Sequence, residues 1–254
     1  MRRFSTAFLI QILVLGIAAG TVPARADFEP GTGISNTFHD FSFKAAGDSV
    51  TGVCTFCHTP HRAIQTRLLW NHTLSQNTFT WQDATHTTGG TPLPTIDPSW
   101  TGPTKFCLSC HDGSVAIGDV AWFNKQTWNG NPIDDTTHDN DDVTIGAGGD
   151  MSGNHPVAHP FPLNGTPSTY NDVTTGDEAL ISGWVPDPSV NGIRLFHQEG
   201  GGLVVAGGRT GNTGIECSSC HDPHNGPTVQ DKFFLRGELG GNGPDYICLK
   251  CHSK

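Results

Sequence analysis

Residues 54–61 read CTFCHTPH and residues 217–224 read CSSCHDPH. Each is a C-x-x-C-H motif with a second histidine three positions after the first. Two plainer copies stand at 107–111 (CLSCH) and 248–252 (CLKCH), and the four motifs together use all eight cysteines of the 254-residue chain. Disulfides or a zinc site would account for paired cysteines. Neither explains a histidine directly after every pair with no cysteine left over. C-x-x-C-H is the attachment signature of a c-type haem. Two intervening residues suit the separation of the two vinyl groups, which would take up Cys54 and Cys57, Cys107 and Cys110, Cys217 and Cys220, and Cys248 and Cys251 as thioethers. The adjacent imidazole then falls beneath the iron, so His58, His111, His221 and His252 are the expected proximal ligands. The expected cofactor complement is four covalent haem c groups with their iron.

On a short helical turn, residues three apart point to the same side. His61 therefore cannot reach the opposite axial face of the iron held by His58, but it can reach the iron of a neighbouring haem. His224 stands in the same relation to His221. With Pro60 and Pro223 fixing the turns, each C-x-x-C-H-x-P-H reads as a clamp that grips one haem proximally and another distally. Clamp and plain motifs alternate along the chain. This predicts one tetrahaem domain built from a first haem pair (27–125), a connecting segment carrying a distal histidine (126–200) and a second haem pair (201–254).

Histidine supply fits that arrangement. Outside the motifs lie His39, His61, His72, His86, His138, His155, His159, His197 and His224, whereas residues 27–254 contain a single methionine, Met151. Methionine ligation, which raises the potential, can serve one iron at most. Bis-histidine ligation throughout is the expectation, with low potentials and no open coordination position.

The chain opens with Arg2 and Arg3, an apolar run from Phe8 to Ala19, and the small-residue site Ala24-Arg25-Ala26. This pattern predicts a secretory signal over residues 1–26 and a mature protein outside the cytoplasm, extracellular or at the cell surface, with the periplasm as the alternative. No other stretch is long and apolar enough to span a membrane. Lys and Arg number 14 against 24 Asp and Glu, a formal charge of −10, so nucleic acid is not an expected partner. With 32 Gly, 17 Pro and only 35% apolar residues, the chain reads as an irregular, loop-rich fold. Short helices are expected at the haem motifs and a few short β-hairpins elsewhere, with the haems serving as the core. The stretch RLFHQEGGGLVVAGG (194–208) predicts a hairpin with a glycine turn. DDTTHDNDD (134–142), with Asp134, Asp135, Asp139, Asp141 and Asp142, reads as a solvated acidic loop because the D-x-D-x-D-G order of a calcium loop is missing. The six tryptophans are read as packing against porphyrin faces.

In order, GISNTFHDFS, CTFCHTPH, LLWNH, CLSCHDGSVA, GNHPV, CSSCHDPHN and CLKCH resemble the OmcE-like family of secreted tetrahaem c-type cytochromes, subunits of extracellular cytochrome filaments. The likeness runs from about Gly33 to the C-terminus and is concentrated in these motifs. It implies proximal ligands His58, His111, His221 and His252, and points to His39, His61, His155 and His224 as distal ligands. His72 competes for a distal place, and His155 competes with His159. His159, His138, His86 and His197 otherwise read as surface or supporting residues. The resemblance also implies haems stacked along a head-to-tail homopolymer, with an axial histidine lent between subunits. Only two residues follow His252, and His39 precedes every motif, so His39 is the histidine expected to be donated to a neighbouring subunit. An open head-to-tail contact generates a filament rather than a ring.

The function expected is electron transfer rather than catalysis, with redox proteins or extracellular acceptors as partners. A monomeric periplasmic shuttle, or the electron-feeding subunit of a reductase, would carry the same haem set. A multihaem enzyme would need an iron with a vacant position, and the histidine supply argues against one.

Overall fold

A computed structural model describes residues 28–42, 53–61, 63, 67–115, 117–120, 127–128, 131–132, 144–177 and 183–253. The segment expected to be a secretory signal and the acidic stretch around His138 lie outside the described residues. Regular structure is sparse. Helix α1 spans Thr104–His111 and helix α2 spans Cys217–Cys220, with a 3-10 turn at Ile247–Lys250. The strands are β1 (Thr127–Trp128), β2 (Asn131–Pro132), β3 (His159–Pro160), β4 (Thr169–Tyr170), β5 (Val173–Thr174), β6 (Phe196–Gln198), β7 (Val204–Ala206) and β8 (Thr213–Ile215).

Helix α1 starts after Pro103, whose φ of −61° is already helical. It buries Lys105, Phe106, Leu108 and Ser109, while Cys107, Cys110 and His111 stay half-exposed on the other side. The 3.6-residue period thus separates a packed face from the face carrying the haem motif. Helix α2 lasts one turn. His221 is already extended, and Pro223 disfavours helical backbone at Asp222.

Strands β3, β8, β6 and β7 form an antiparallel sheet in that order, with His159 opposite Ile215, Phe196 opposite Gly214 and His197 opposite Val205. The β6–β7 hairpin is the one anticipated from its glycine run. Gly201 and Gly202 sit at φ 84° and 83° in its turn, a region that glycine occupies without strain.

The described residues contain more apolar core of their own than the composition suggests. Phe79, Trp81, Ile96, Trp100, Leu108, Met151, Ala158, Tyr170, Phe196 and Val204 make one buried cluster. Phe161, Leu163, Ile193, Leu195 and Ile215 make a second, and Phe41, Phe56, Ile117 and Val120 a third. Sparse apolar residues suffice here because they are concentrated on facing positions of short strands and bridges, such as Phe79 opposite Ile96. The sheet crosses residue 200: β7 and β8 follow it, and their partners β6 and β3 precede it.

Gly214 makes the sheet fit this core. A Cβ there would collide with the ring of fully buried Tyr170. Gly214→Ala is expected to cost about 1–3 kcal/mol by overpacking, measurable as a lowered urea midpoint with an unchanged slope.

Candidate cofactor site

The four motifs share one local geometry. The N–H of His58 donates to the Cys54 carbonyl at 2.9 Å, that of His221 to Cys217 at 3.0 Å and that of His252 to Cys248 at 2.9 Å; the second motif, 107–111, lies within α1. One such turn puts both thiols and the imidazole of a motif on the same side of the backbone.

The clamp motifs share a second layer. After the first, Thr59 N–H donates to Leu69 O and Asn71 N–H to Cys57 O; after the third, Asp222 N–H donates to Phe234 O and Arg236 N–H to Cys220 O. In each case a returning segment pairs with the motif, His58 opposite Trp70 and His221 opposite Leu235. The carbonyl of Leu68 lies 2.7 Å from His58 Nδ1, and that of Phe233 lies 2.8 Å from His221 Nδ1. A carbonyl only accepts, so Nδ1 carries the proton and Nε2 keeps its lone pair for a metal. Reaching this position bends the backbone into the left-handed region at Leu68 (φ 56°), Leu69 (φ 52°) and Phe234 (φ 61°). This repeat is barely marked in the sequence. Its signal was a cation followed by two apolar residues, RLL at 67–69 and KFF at 232–234.

Two pairs of imidazoles face each other across the chain. The rings of His58 and His224 have centroids 6.1 Å apart with planes 23° from parallel. Those of His39 and His111 are also 6.1 Å apart, with planes at 76°. Two imidazoles on opposite sides of one metal ion, each bonded at about 2 Å, place their centroids roughly 6 Å apart. Both pairs match that separation, and each joins an expected proximal to an expected distal ligand. His39 stacks on Phe234 at 4.7 Å and 13°, and the Pro223 carbonyl lies 3.2 Å from its Nδ1. Residues 221–224 thus touch three sites at once, through His221, through His224 opposite His58, and through Pro223 behind His39.

The other histidines sort by environment. His155 is exposed with Nδ1 2.9 Å from Pro156 O. His61 is exposed, and no imidazole of the described residues faces it. His252 packs on Trp184 at 4.6 Å. His72 is 1% exposed, with Nδ1 2.9 Å from Thr73 O and Nε2 3.0 Å from Ile117 O. Both its nitrogens meet backbone carbonyls, which gives it the bland alternative role, hydrogen bonding in the interior. His159 is buried in β3 with Nδ1 2.9 Å from Pro160 O. His197 is buried in β6 between Gly207 O and Glu199, and His86 lies on the surface beside Thr85. Met151 is packed into the main apolar cluster. Trp81 and Trp100 pack there as well, while Trp70 and Trp184 lie against His58 and His252.

All eight cysteines are free thiols. Burial pushes Cys57, Cys110 and Cys251 up to about 12 and Cys220 up to about 11. Cys217 alone goes down, through a hydrogen bond with Cys107. Among the described residues no three His, Cys, Asp or Glu side chains converge as an all-protein metal site. Successive motifs are neighbours: Cys57 feels Cys110, Cys107 meets Cys217, and Cys220 feels Cys248.

The second and third motifs are fastened by Glu216. Its buried carboxylate accepts the Thr104 N–H at 2.9 Å and the Tyr170 hydroxyl at 2.6 Å. Thr104 Oγ1 in turn accepts the Cys217 N–H at 3.1 Å. One carboxylate therefore caps α1 while standing at the N-cap of α2. Asp222 holds the third motif to its returning segment, with Oδ2 3.3 Å from Arg236 Nη2. The His224 beside it and Arg236 hold its carboxyl down to about 2.

The chain matches no protein-family model and no curated protein. No helix among the described residues is long and apolar enough to cross a membrane.

Proposed function

We propose that this chain is an electron-transfer protein that carries four covalently attached c-type haems, each iron held by two histidines. The observation that best supports this reading is the pair of 6.1 Å imidazole separations, His58 with His224 and His39 with His111. Cys54 and Cys57, Cys107 and Cys110, Cys217 and Cys220, and Cys248 and Cys251 would tether the haems, with His58, His111, His221 and His252 as proximal ligands. Haem iron, once bound, supplies reversible one-electron chemistry. The chain's own part is to fix ligand identity, tautomer and solvent access. Carbonyls behind His58, His221, His39 and His155 hold Nδ1 protonated and aim Nε2 outward. The neighbouring thiols of motifs one to four support haems arranged in chain order.

The finer reading is a head-to-tail polymer outside the cell, which rests on the family resemblance. The ring of His39 lies 6.1 Å from that of His111 in its own chain, which supports ligation within the subunit over donation to a neighbour. The exposed rings of His61 and His155 suit it better.

Intact mass spectrometry of the purified protein tests the core reading. A mass equal to polypeptide plus four haems, with a low-spin visible spectrum that carbon monoxide leaves unchanged after reduction, is expected. A colourless sample at bare polypeptide mass refutes it. Electron microscopy of the secreted fraction tests the polymer: filaments support it, and discrete monomers leave the shuttle.

A further inference from the structure

We propose that Asp222 is a positioning residue for His224, and that the iron held by His58 and His224 has a lower reduction potential than the iron held by His39 and His111. The inference rests on the haem reading above and goes beyond it by ranking two of the sites.

The first ground is the group behind each distal ring. His39 has a neutral carbonyl, Pro223 O, 3.2 Å from Nδ1. His224 has a carboxylate instead, with Asp222 Oδ1 3.6 Å from Nδ1, just beyond direct hydrogen-bond range but close enough for its charge to act on the ring. That carboxylate is not free to swing away. Its Oδ1 accepts the His224 backbone N–H at 3.1 Å, and its Oδ2 faces Arg236. Arg236 is itself buried, bonded to Thr228 Oγ1 by its guanidinium and to Cys220 O by its N–H. A carboxylate behind a ligating imidazole makes the ligand more basic. A more basic ligand stabilises ferric over ferrous iron and lowers the potential. The first clamp lacks this device, since Thr59 stands where Asp222 stands in the third.

The second ground is independent of Asp222. The planes of His58 and His224 differ by 23°, those of His39 and His111 by 76°. Near-parallel imidazoles act on the same iron d orbital, which splits the pair of π-type orbitals and favours the ferric state. Crossed imidazoles leave that pair nearly degenerate, which raises the potential and gives a strongly anisotropic ferric resonance. Both grounds push the two sites apart in the same direction.

Electron paramagnetic resonance of the oxidised four-haem protein, followed during titration with dithionite, tests the claim. The Cys54→Ala/Cys57→Ala variant identifies the signal of the His58 iron by its loss, and Cys107→Ala/Cys110→Ala identifies that of the His111 iron. The His58 signal is expected to be rhombic and to titrate at the lower potential; the His111 signal is expected to have a large maximal g value. Asp222→Asn should move the His58 midpoint upward and leave the His111 midpoint in place, and Asp222→Glu should restore it. Four haems by mass with the midpoints in the reverse order, or with the His58 midpoint unmoved in Asp222→Asn, overturns the inference while leaving the haem reading intact. The order of the wild-type midpoints decides the matter even if Asp222→Asn fails to fold. A protein without haem refutes the earlier reading instead.

Discussion

His224→Ala is expected to open one coordination position, at the iron of His58 and not at that of His221, its neighbour in sequence. The variant should retain four haems by mass, because every thiol remains. About a quarter of the haem should become high-spin and bind carbon monoxide after reduction, since one of four irons loses a ligand. The expectation rests on the proposed pairing: the rings of His224 and His58 lie 6.1 Å apart, whereas His221 has the Phe233 carbonyl at its Nδ1. Adding Cys54→Ala and Cys57→Ala removes the haem that His58 serves. The carbon monoxide signal should then disappear. If it persists at the same amplitude, His224 serves another iron. His39→Ala should behave in parallel, its signal lost on adding Cys107→Ala and Cys110→Ala.

Glu216→Ala is expected to produce the largest loss of stability. Truncation leaves the Thr104 N–H and the Tyr170 hydroxyl buried without their acceptor. Each orphaned group costs about 1–3 kcal/mol, so a total of roughly 3 kcal/mol or more is expected, read as the fall in unfolding free energy in urea. Glu216→Gln keeps an acceptor and should lose less. It should also change the response to pH. Burial pushes the Glu216 carboxyl up, against the hydrogen bonds from Thr104 and Tyr170 that pull it down. The folded state therefore holds this proton more tightly than the unfolded chain does. Its contribution is fully present below the unfolded value of about 4.3 and is lost as pH rises through the folded value. Unfolding free energies of wild type and Glu216→Gln should accordingly converge at low pH in their pH slopes and diverge above it. Parallel curves across that range would show that Glu216 does not titrate with folding.

Much of the candidate site was legible because the C-x-x-C-H signature is local. Two cysteines and a histidine within five positions declare themselves without any knowledge of the fold. The clamp reading of His61 and His224 was local too, and it expects His224 to serve a different iron from His221. Which iron was not legible, because the approach of residues 58 and 224 is made by the returning segments, the Asp222–Arg236 contact and the packing around Phe234. Those are long-range events with weak sequence signals, the RLL and KFF triplets among them. The expectation that porphyrins alone would furnish an interior underestimated the chain. Phe79, Ile96, Tyr170 and Phe196 lie far apart in sequence, so no periodicity marked them as one cluster. His72 competed for a distal place because ligand histidines and hydrogen-bonding core histidines are the same residue; the carbonyls of Thr73 and Ile117 beside its two nitrogens favour the second role.

The tie between the second and third motifs, Cys217 N–H to Thr104 Oγ1 and Thr104 N–H to Glu216, sets Cys107 and Cys217 close to one another and bears on how the molecule is made. Two bare sulfurs held together in an oxidising compartment would cross-link and block two tethering points with a single bond. If the motifs carry haem as proposed, the porphyrin would have to be joined to these residues while the polypeptide is still open, before the Thr104–Glu216 hydrogen bond draws the two motifs together. On that reading attachment would come first, and the closed shape would record it.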